Sequence, residues 1–162
     1  MKNRGYSNHS ICCISMKKEQ LKSYLFVSVQ FLCLIGFFYF GLEKTFTVAT
    51  QIFLFVGCAL LLWARQEMGK NNFRVQPIPK DSLQLVTSGP FKLIRHPIYT
   101  ALLLGMLAIA INTNTWVAYM LWIFFFADLY FKLRFEEDLL LEKFPEYREY
   151  MNRTKRLLPW VW

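Results

Sequence analysis

The chain has 162 residues, of which 55% are apolar, 18% aromatic and 19% charged, and its formal net charge is +8. Because an average soluble domain is about 45–50% apolar and about 25% charged, this composition argues against a disordered chain, a small disulfide-stabilised protein and an ordinary soluble enzyme. It favours a single-domain membrane protein. The positive charge alone is also compatible with binding to nucleic acid or anionic lipid, so the positions of the charges must decide.

Four apolar segments follow one another along the chain. Residues 25–42 and 47–64 contain no charged side chain. As helices they would each reach about 27 Å, close to the roughly 30 Å hydrocarbon core of a bilayer. Residues 98–111 form a shorter third segment, and residues 116–131 form a fourth that is interrupted only by Asp128. We therefore predict an all-α polytopic membrane protein with about four transmembrane helices in two hairpins.

The connections between these segments complete the predicted organisation. Short polar turns join segments one and two and segments three and four, whereas the loop between the hairpins is long enough to carry function. The parts are an N-terminal tail at 1–24, a first hairpin at 25–64, a loop at 65–97, a second hairpin at 98–131 and C-terminal amphipathic helices at 132–162.

The basic residues mark one side of the predicted membrane. Eighteen of the 19 Lys and Arg residues lie before the first segment, in the long loop or after the fourth segment, and Lys44 alone lies in a short connection. The positive-inside rule then places both termini and the long loop in the cytoplasm. The charge reports orientation, so nucleic acid is not an expected partner. The compactness of the chain favours a bacterial inner membrane.

The N-terminal region carries two further expectations. The first apolar segment is long for a signal peptide and no A-x-A site follows it, so we expect it to remain as a span. Met16 is followed by two lysines, a pattern typical of the start of a membrane protein, and is the expected initiator. The four cysteines lack metal-ligand spacing and the chain has only two histidines, so no metal site is expected.

Polar residues cluster at both ends of the second hairpin. One cluster directly precedes the third segment, and the other directly follows the fourth. Because a hairpin brings these ends together, we expect the clusters to meet at the cytoplasmic face, where ionisable groups at membrane depth indicate a functional site. The residues concerned are Arg95, His96, Tyr99, Lys132, Arg134, Glu136 and Glu137.

Each of these residues taken alone has a simpler structural interpretation. Arg95 is compatible with an anchor at a helix end, and the acidic run after residue 135 with a solvated helix face. Asp128 is as compatible with packing inside the bundle as with lining a site. It is the convergence of the clusters that favours a site.

The order of the motifs resembles a family of membrane enzymes. The chain reads Leu85-Val86-Thr87-Ser88-Gly89-Pro90-Phe91, then Arg95-His96-Pro97-x-Tyr99, then Glu136-Glu137-x-x-Leu140, then Phe144-x-x-Tyr147-x-x-Tyr150 and Pro159. This combination is similar to the isoprenylcysteine carboxyl methyltransferase family, whose wider group includes the phospholipid N-methyltransferases. The resemblance covers roughly residues 50–162.

The resemblance implies an integral-membrane methyltransferase that uses S-adenosylmethionine. Its pocket would be closed by the 65–97 loop and the C-terminal helices, and membrane lipids and a lipophilic acceptor would be its partners. The implied cofactor-binding residues are Gln76, Leu83, Gln84, Leu85, Val86, Phe91, His96, Pro97, Ile98, Tyr99 and Glu136. The implied catalytic residues are Lys132, Arg134 and Glu137.

Some residues depart from the family pattern and leave the acceptor open. Lys132 stands where the family often has an arginine assigned to a substrate carboxylate, and lysine keeps the charge but not the bidentate geometry. A carboxylate or thiolate acceptor needs positioning, whereas an amine needs a base, for which Glu137 and His96 are candidates. Phe91 replaces a usual tyrosine, and Pro145 replaces a usual glycine.

Two other functions are compatible with the sequence. A membrane reductase of the sterol-reductase type, dependent on NADPH, is distantly similar in the C-terminal hairpin, although such enzymes usually have more spans. A non-catalytic membrane subunit would depend on the faces of its spans rather than on His96 and Glu136.

Overall fold

The structure is a computed structural model that describes residues 5–41, 45–72 and 85–159. In these ranges the chain is helical, and its β-type pairing is an isolated parallel bridge between Ile94 and Lys155. The predicted all-α class is therefore confirmed. The helices are α1 (Gly5–Gly41), α2 (Val48–Asn72), a 3₁₀ helix (Gly89–Lys92), α3 (Pro97–Thr113), α4 (Trp116–Lys143) and α5 (Tyr147–Arg153).

Three of the helices are long and apolar enough to cross a membrane. Their candidate spans are Gln20–Phe37, Val48–Gly69 and Trp116–Lys143. Helix α3 is also apolar but has 17 residues, which corresponds to about 26 Å. Helix α4 continues without a break from the fourth apolar segment to Lys143, so the Glu-Glu motif lies on the same rigid helix as that segment.

The turn between α3 and α4 consists of two residues with specific conformations. Asn114 ends α3 in the left-handed region at φ 48°, and its backbone N–H donates to Ala110 O. Thr115 then caps α4, since its hydroxyl accepts from the backbone N–H of Ala118. Asparagine tolerates the left-handed region and threonine is a preferred N-cap, so this turn fixes the second hairpin.

Helix α3 is the centre of the bundle, because it packs against α2, α4 and α1. Helix α1 packs mainly on α4, and α2 mainly on α3, so the helices of the first predicted hairpin pair with the second hairpin rather than chiefly with each other. Gly57 allows the close approach of α2 to α3. A Cβ there would lie 3.1 Å from the carbonyl oxygen of Ala101.

The start of α2 and the end of α3 are joined by hydrogen bonds. Asn112 Oδ1 accepts from the backbone N–H of Thr47 at 3.1 Å and from the hydroxyl of Thr50 at 3.3 Å. All three groups lie at the end of the bundle opposite to the predicted site. Interhelical polar contacts of this kind hold helices together where lipid provides no hydrophobic driving force between them.

The other end of the bundle, which we call the basic end, is where α2 ends, α3 begins and α4 ends. There the C-terminal segment 154–157 runs beside residues 93–96. The backbone N–H of Arg95 donates to Lys155 O at 2.7 Å, and that of His96 donates to Arg156 O at 3.0 Å. The hydroxyl of Thr100 donates to Leu157 O at 2.7 Å. These bonds fasten segment 154–157 to the start of α3.

We expect Gly57→Ala to destabilise the protein, because its new methyl group meets backbone that cannot move aside easily. Overpacking of this kind costs about 1–3 kcal/mol. Gly105→Ala is the matched control, since Gly105 lies on the facing helix and a Cβ there meets nothing within 4 Å. Thermal unfolding in detergent should give a lower Tm for Gly57→Ala and an unchanged or higher Tm for Gly105→Ala. Equal Tm values for the two variants would contradict this packing.

Candidate functional site

The two polar clusters predicted at the ends of the second hairpin lie together at the basic end. His96 directly precedes α3, and Tyr99 lies in the first turn of that helix. Glu136 and Glu137 lie on α4, about one turn beyond Lys132. Because α3 and α4 are neighbouring antiparallel helices, cationic, aromatic and acidic side chains meet between them.

Glu137 is held by two arginines in a buried arrangement that we call the clamp. Arg95 Nε donates to Glu137 Oε1 at 2.7 Å, and Arg156 Nε donates to Glu137 Oε2 at 3.0 Å. The side chain of Glu137 is only 3% exposed. Since both carboxylate oxygens accept charge-assisted hydrogen bonds, Glu137 is suited to holding the structure and poorly suited to accepting a proton.

The clamp also fastens the C-terminal segment through Arg95. Nη1 of Arg95 donates to the carbonyl oxygens of Met151 and Thr154, at 3.1 and 2.5 Å. These carbonyls lie at the end of α5, where backbone oxygens lack helical partners and attract a cation. One guanidinium therefore links α4, α5 and the start of α3.

Beside the clamp lies an aromatic–carboxylate group formed by His96, Tyr99 and Glu136. The Tyr99 hydroxyl donates to Glu136 Oε1 at 2.5 Å, and the rings of His96 and Tyr99 stack with centroids 5.3 Å apart. His96 Nε2 is buried and has no hydrogen-bond partner among the described residues, although Glu137 Oε1 lies 3.4 Å away. A buried nitrogen in this state gains free energy when a ligand satisfies it.

A third set of polar residues, Gln30, Asp128 and Lys132, joins the site to α1, and we call it the relay. Lys132 Nζ donates to Gln30 Oε1 at 3.2 Å, and Gln30 Nε2 donates to Asp128 Oδ2 at 3.1 Å. Lys132 Nζ also lies over the Tyr99 ring, 5.4 Å from its centroid, in cation–π geometry. The relay therefore touches the aromatic–carboxylate group.

The other predicted site residues have different surroundings. Arg134 is exposed and lies two positions after Lys132 on α4, so it does not join the residues that face the site. Phe91 and Pro97 are buried, whereas Leu85, Val86 and Ile98 are half-buried near the basic end. Gln76, Leu83 and Gln84 lie outside the described residues.

Two residues of the site were not among the residues predicted from sequence. Gln30 is an amide in an apolar segment without charges, and such a residue by itself indicates a polar contact inside the bundle. Arg156 gave no comparable signal, because it is one of several basic residues in the C-terminal region. Arg95 forms a buried ion pair rather than a helix-end anchor. Asp128 is a member of the relay, since it accepts a hydrogen bond from Gln30.

Two tyrosines, the buried Tyr147 and the half-buried Tyr150, support the site from α5. Burial raises the pKa of Tyr150 to about 12, and its hydroxyl donates to Phe91 O at 2.7 Å. Burial, together with the nearby negative charge of Glu137, raises the pKa of Tyr147 well above its usual range. Both phenols are therefore neutral over the physiological range, which suits Tyr150 to its role as a hydrogen-bond donor.

The arrangement can bind a ligand through a limited set of groups. Glu136 is 17% exposed and can accept hydrogen bonds, His96 Nε2 can donate or accept a hydrogen bond, and Lys132 supplies a positive charge. No group of three or more His, Cys, Asp or Glu side chains that could hold a metal ion occurs among the described residues.

Comparison with known proteins gives one family and two partial relatives. The model of the family described as phospholipid methyltransferase matches residues 44–147. The cobalt-zinc-cadmium resistance protein CzcN of Cupriavidus metallidurans is 40% identical over 76 residues, which are 46% of this chain and 35% of that protein. The nickel-cobalt-cadmium resistance protein NccN of Alcaligenes xylosoxydans xylosoxydans is 32% identical over 81 residues, which are 49% of this chain and 38% of that protein. The chain thus spans little more than a third of the length of these curated relatives.

We expect Glu137→Gln to destabilise the protein strongly, because it removes the negative charge that the buried guanidinium of Arg95 and the half-buried one of Arg156 both contact. Removing one partner of a buried ion pair costs about 3–5 kcal/mol. Glu149→Gln is the control, since Glu149 forms an exposed pair with Arg153, whose loss should change stability by at most about 0.5 kcal/mol. Denaturant unfolding in detergent measures both, and equal losses would contradict the clamp.

The raised pKa of Tyr150 predicts a loss of stability at alkaline pH. The unfolded tyrosine ionises near pH 10, whereas the folded one holds its proton up to about pH 12. The stability that the neutral Tyr150 phenol contributes is therefore complete below about pH 10 and is lost as the pH rises towards 12. The free energy of unfolding of the wild type should exceed that of Tyr150→Phe by more at pH 9 than at pH 12. A difference that does not change with pH would contradict it.

Proposed function

The chain belongs to the phospholipid methyltransferase family, and we propose that it is an integral-membrane enzyme that transfers a methyl group from S-adenosylmethionine to a lipophilic acceptor. The observation that carries the proposal is the aromatic–carboxylate group beside Lys132. In it the partly exposed Glu136, a stacked aromatic pair and a buried nitrogen that has no hydrogen bond within the described residues meet at the end of apolar helices.

The residues of the aromatic–carboxylate group fit the proposed cofactor. Glu136 is an acceptor for hydroxyl or amino groups, and the Tyr99 hydroxyl orients it. His96 Nε2 offers a hydrogen bond that no described residue uses. When bound, S-adenosylmethionine supplies an electrophilic methyl group on a sulfonium sulfur, which keeps the electron pair of the broken bond.

Residues around the group exclude water from it. Leu129, Leu133 and Leu157 are buried in one apolar cluster next to the relay, and Tyr99 packs against that cluster. Water stabilises a charged sulfonium and an anionic nucleophile more than it stabilises the transition state in which these charges cancel. A dry, oriented pocket therefore favours methyl transfer.

Lys132 is the residue that we propose faces the acceptor. Its ammonium is a point charge suited to an anionic or polarised group on a carboxylate, thiol or amine acceptor, and it is 2% exposed. Arg134, which is exposed, has no part in this proposal. Where the acceptor is a protonated amine, His96 Nε2 is the better candidate base, because both oxygens of Glu137 are held by arginines.

We further propose that the basic end faces the cytoplasm. The bias of basic residues supports this orientation, with 18 of 19 at one side of the predicted spans. Both termini would then be cytoplasmic, and a multi-pass protein of a bacterial inner membrane would take its acceptor from the lipid. Membrane lipids are therefore its expected partners.

Binding of S-adenosylmethionine tests the proposal directly. The purified full chain in detergent should bind the labelled cofactor, and Glu136→Gln should weaken binding by about tenfold, since a hydrogen bond to a charged group contributes about 1.5–3 kcal/mol. Glu142→Gln is the matched control, because Glu142 is exposed on the same helix. The wild type should also transfer the labelled methyl group to a membrane lipid extract.

Other outcomes would separate the alternatives. A folded preparation that does not bind S-adenosylmethionine contradicts the proposal, and binding of NADPH in its place would favour the reductase. A wild type that binds the cofactor but labels nothing in the extract contradicts methyl transfer to a membrane lipid. Cellular function that survives both Glu136→Gln and His96→Ala would favour a non-catalytic subunit.

A further inference from the structure

Helix α1 lies outside residues 44–147, the part of the chain that the family model matches, yet it contributes to the site. Four of its residues, Ser23, Gln30, Cys33 and Phe37, are buried and are spaced by seven, three and four positions. This spacing places them on one face of the helix. Cys33 and Phe37 pack in the apolar clusters of the bundle, whereas the two polar residues lie nearer the basic end.

Gln30 contacts two charged side chains of α4 at once. Its Oε1 accepts from Lys132 Nζ at 3.2 Å, and its Nε2 donates to Asp128 Oδ2 at 3.1 Å. Lys132 lies four residues after Asp128 and four before Glu136, so either carboxylate is within reach of its flexible side chain along the helix surface. The amide of Gln30 engages Asp128 and gives the lysine a fixed acceptor on α1.

Gln30 is therefore one of the groups that hold the Lys132 charge in place. The ammonium lies 5.4 Å from the centre of the Tyr99 ring, and Tyr99 in turn holds Glu136. Without an acceptor on α1, the Lys132 ammonium would move towards Asp128 or Glu136. Both the ammonium and the carboxylate that it approaches would then change position. A polar side chain this deep in an apolar helix is costly unless it is hydrogen-bonded, and both amide atoms of Gln30 are.

Ser23 provides an independent indication that this face of α1 meets a polar ligand. It lies two turns from Gln30 towards the basic end and is 1% exposed. Its hydroxyl has no hydrogen-bond partner among the described residues. A buried hydroxyl in this state carries an unmet hydrogen bond that a bound polar group can supply.

We propose that Gln30 is a positioning residue of the methyl-acceptor site, which holds the Lys132 ammonium at the boundary of α1 and α4 where the polar group of a lipophilic acceptor binds. This inference rests on the proposed methyltransferase function. In this inference α1 lines the acceptor-binding part of the site and determines which acceptors bind, while α3 and α4 hold the cofactor. Gln30 acts through Lys132 and does not itself react.

Gln30→Met tests the role of the amide, because methionine keeps the length of the side chain and removes both hydrogen bonds. Gln51→Met is the matched control, since Gln51 is an exposed glutamine on α2. The full chain in detergent is incubated with labelled S-adenosylmethionine and increasing amounts of membrane lipid extract. We expect Gln30→Met to raise the half-saturating amount of extract by about three- to eighteenfold, in line with interhelical hydrogen bonds of about 0.6–1.7 kcal/mol. The dissociation constant for S-adenosylmethionine and all values for Gln51→Met should stay unchanged.

The readouts separate positioning from simple helix adhesion. If Gln30 only joins α1 to α4, Gln30→Met lowers Tm and leaves the half-saturating amount of extract as in the wild type, which overturns the inference. A loss of cofactor binding in step with the loss of transfer also overturns it, because the amide would then serve the whole site. Wild-type protein that binds no S-adenosylmethionine defeats the proposed function itself. If the wild type binds the cofactor and transfers the methyl group, and the Gln30→Met variant does both equally well, only the role proposed for Gln30 is contradicted.

Discussion

The neutralisation of Glu137 by Arg95 and Arg156 is the interaction on which the site depends. The Glu137 carboxylate and the Arg95 guanidinium are buried, and that of Arg156 is half-buried, at the end of an apolar bundle where an unpaired charge is costly. Together they satisfy one another, and the remaining donors of Arg95 bind the carbonyl oxygens that end α5. The clamp thus pairs charges that would each be costly alone and fixes the elements that carry them in place, an arrangement that we call the frame. Backbone hydrogen bonds then hold the chain around His96 against the C-terminal segment.

The frame gives neighbouring acidic residues different tasks. Glu137 faces the arginines and has both oxygens occupied, whereas Glu136 faces Tyr99 and keeps part of its surface accessible. Consecutive residues on a helix point about 100° apart, so one position is enough to separate a structural carboxylate from one that can bind a ligand. The rigid continuation of α4 beyond the fourth apolar segment makes this separation dependable, because no hinge lies between the relay and the Glu-Glu motif.

Much of this arrangement follows from sequence, and the part that does not has a physical reason. Hydropathy predicted the helices, and the hairpin topology predicted that Arg95 and His96 would meet Lys132 and the Glu-Glu motif. The sequence of the Glu-Glu motif does not show which glutamate is structural, because one of the two arginines that bind Glu137 is Arg156, which lies in a segment without a distinctive pattern. Arg134 was grouped with Lys132 by proximity in sequence, yet two positions on a helix point in opposed directions. The pairing of α1 with α4 also depends on packing that hydropathy does not encode.

The residues that complete the site come from both sides of the region that the family model matches. Gln30 precedes residues 44–147, and Arg156 follows them. The matched region supplies the aromatic–carboxylate group and Lys132, which in our proposal touch the cofactor and the acceptor. Gln30 and Arg156 instead hold those residues, one by orienting the lysine and the other by neutralising Glu137. If both proposals hold, such a scaffold can keep its reaction while its first helix changes the acceptor, because the groups proposed to set the position of the charge are separate from those proposed to bind the methyl donor.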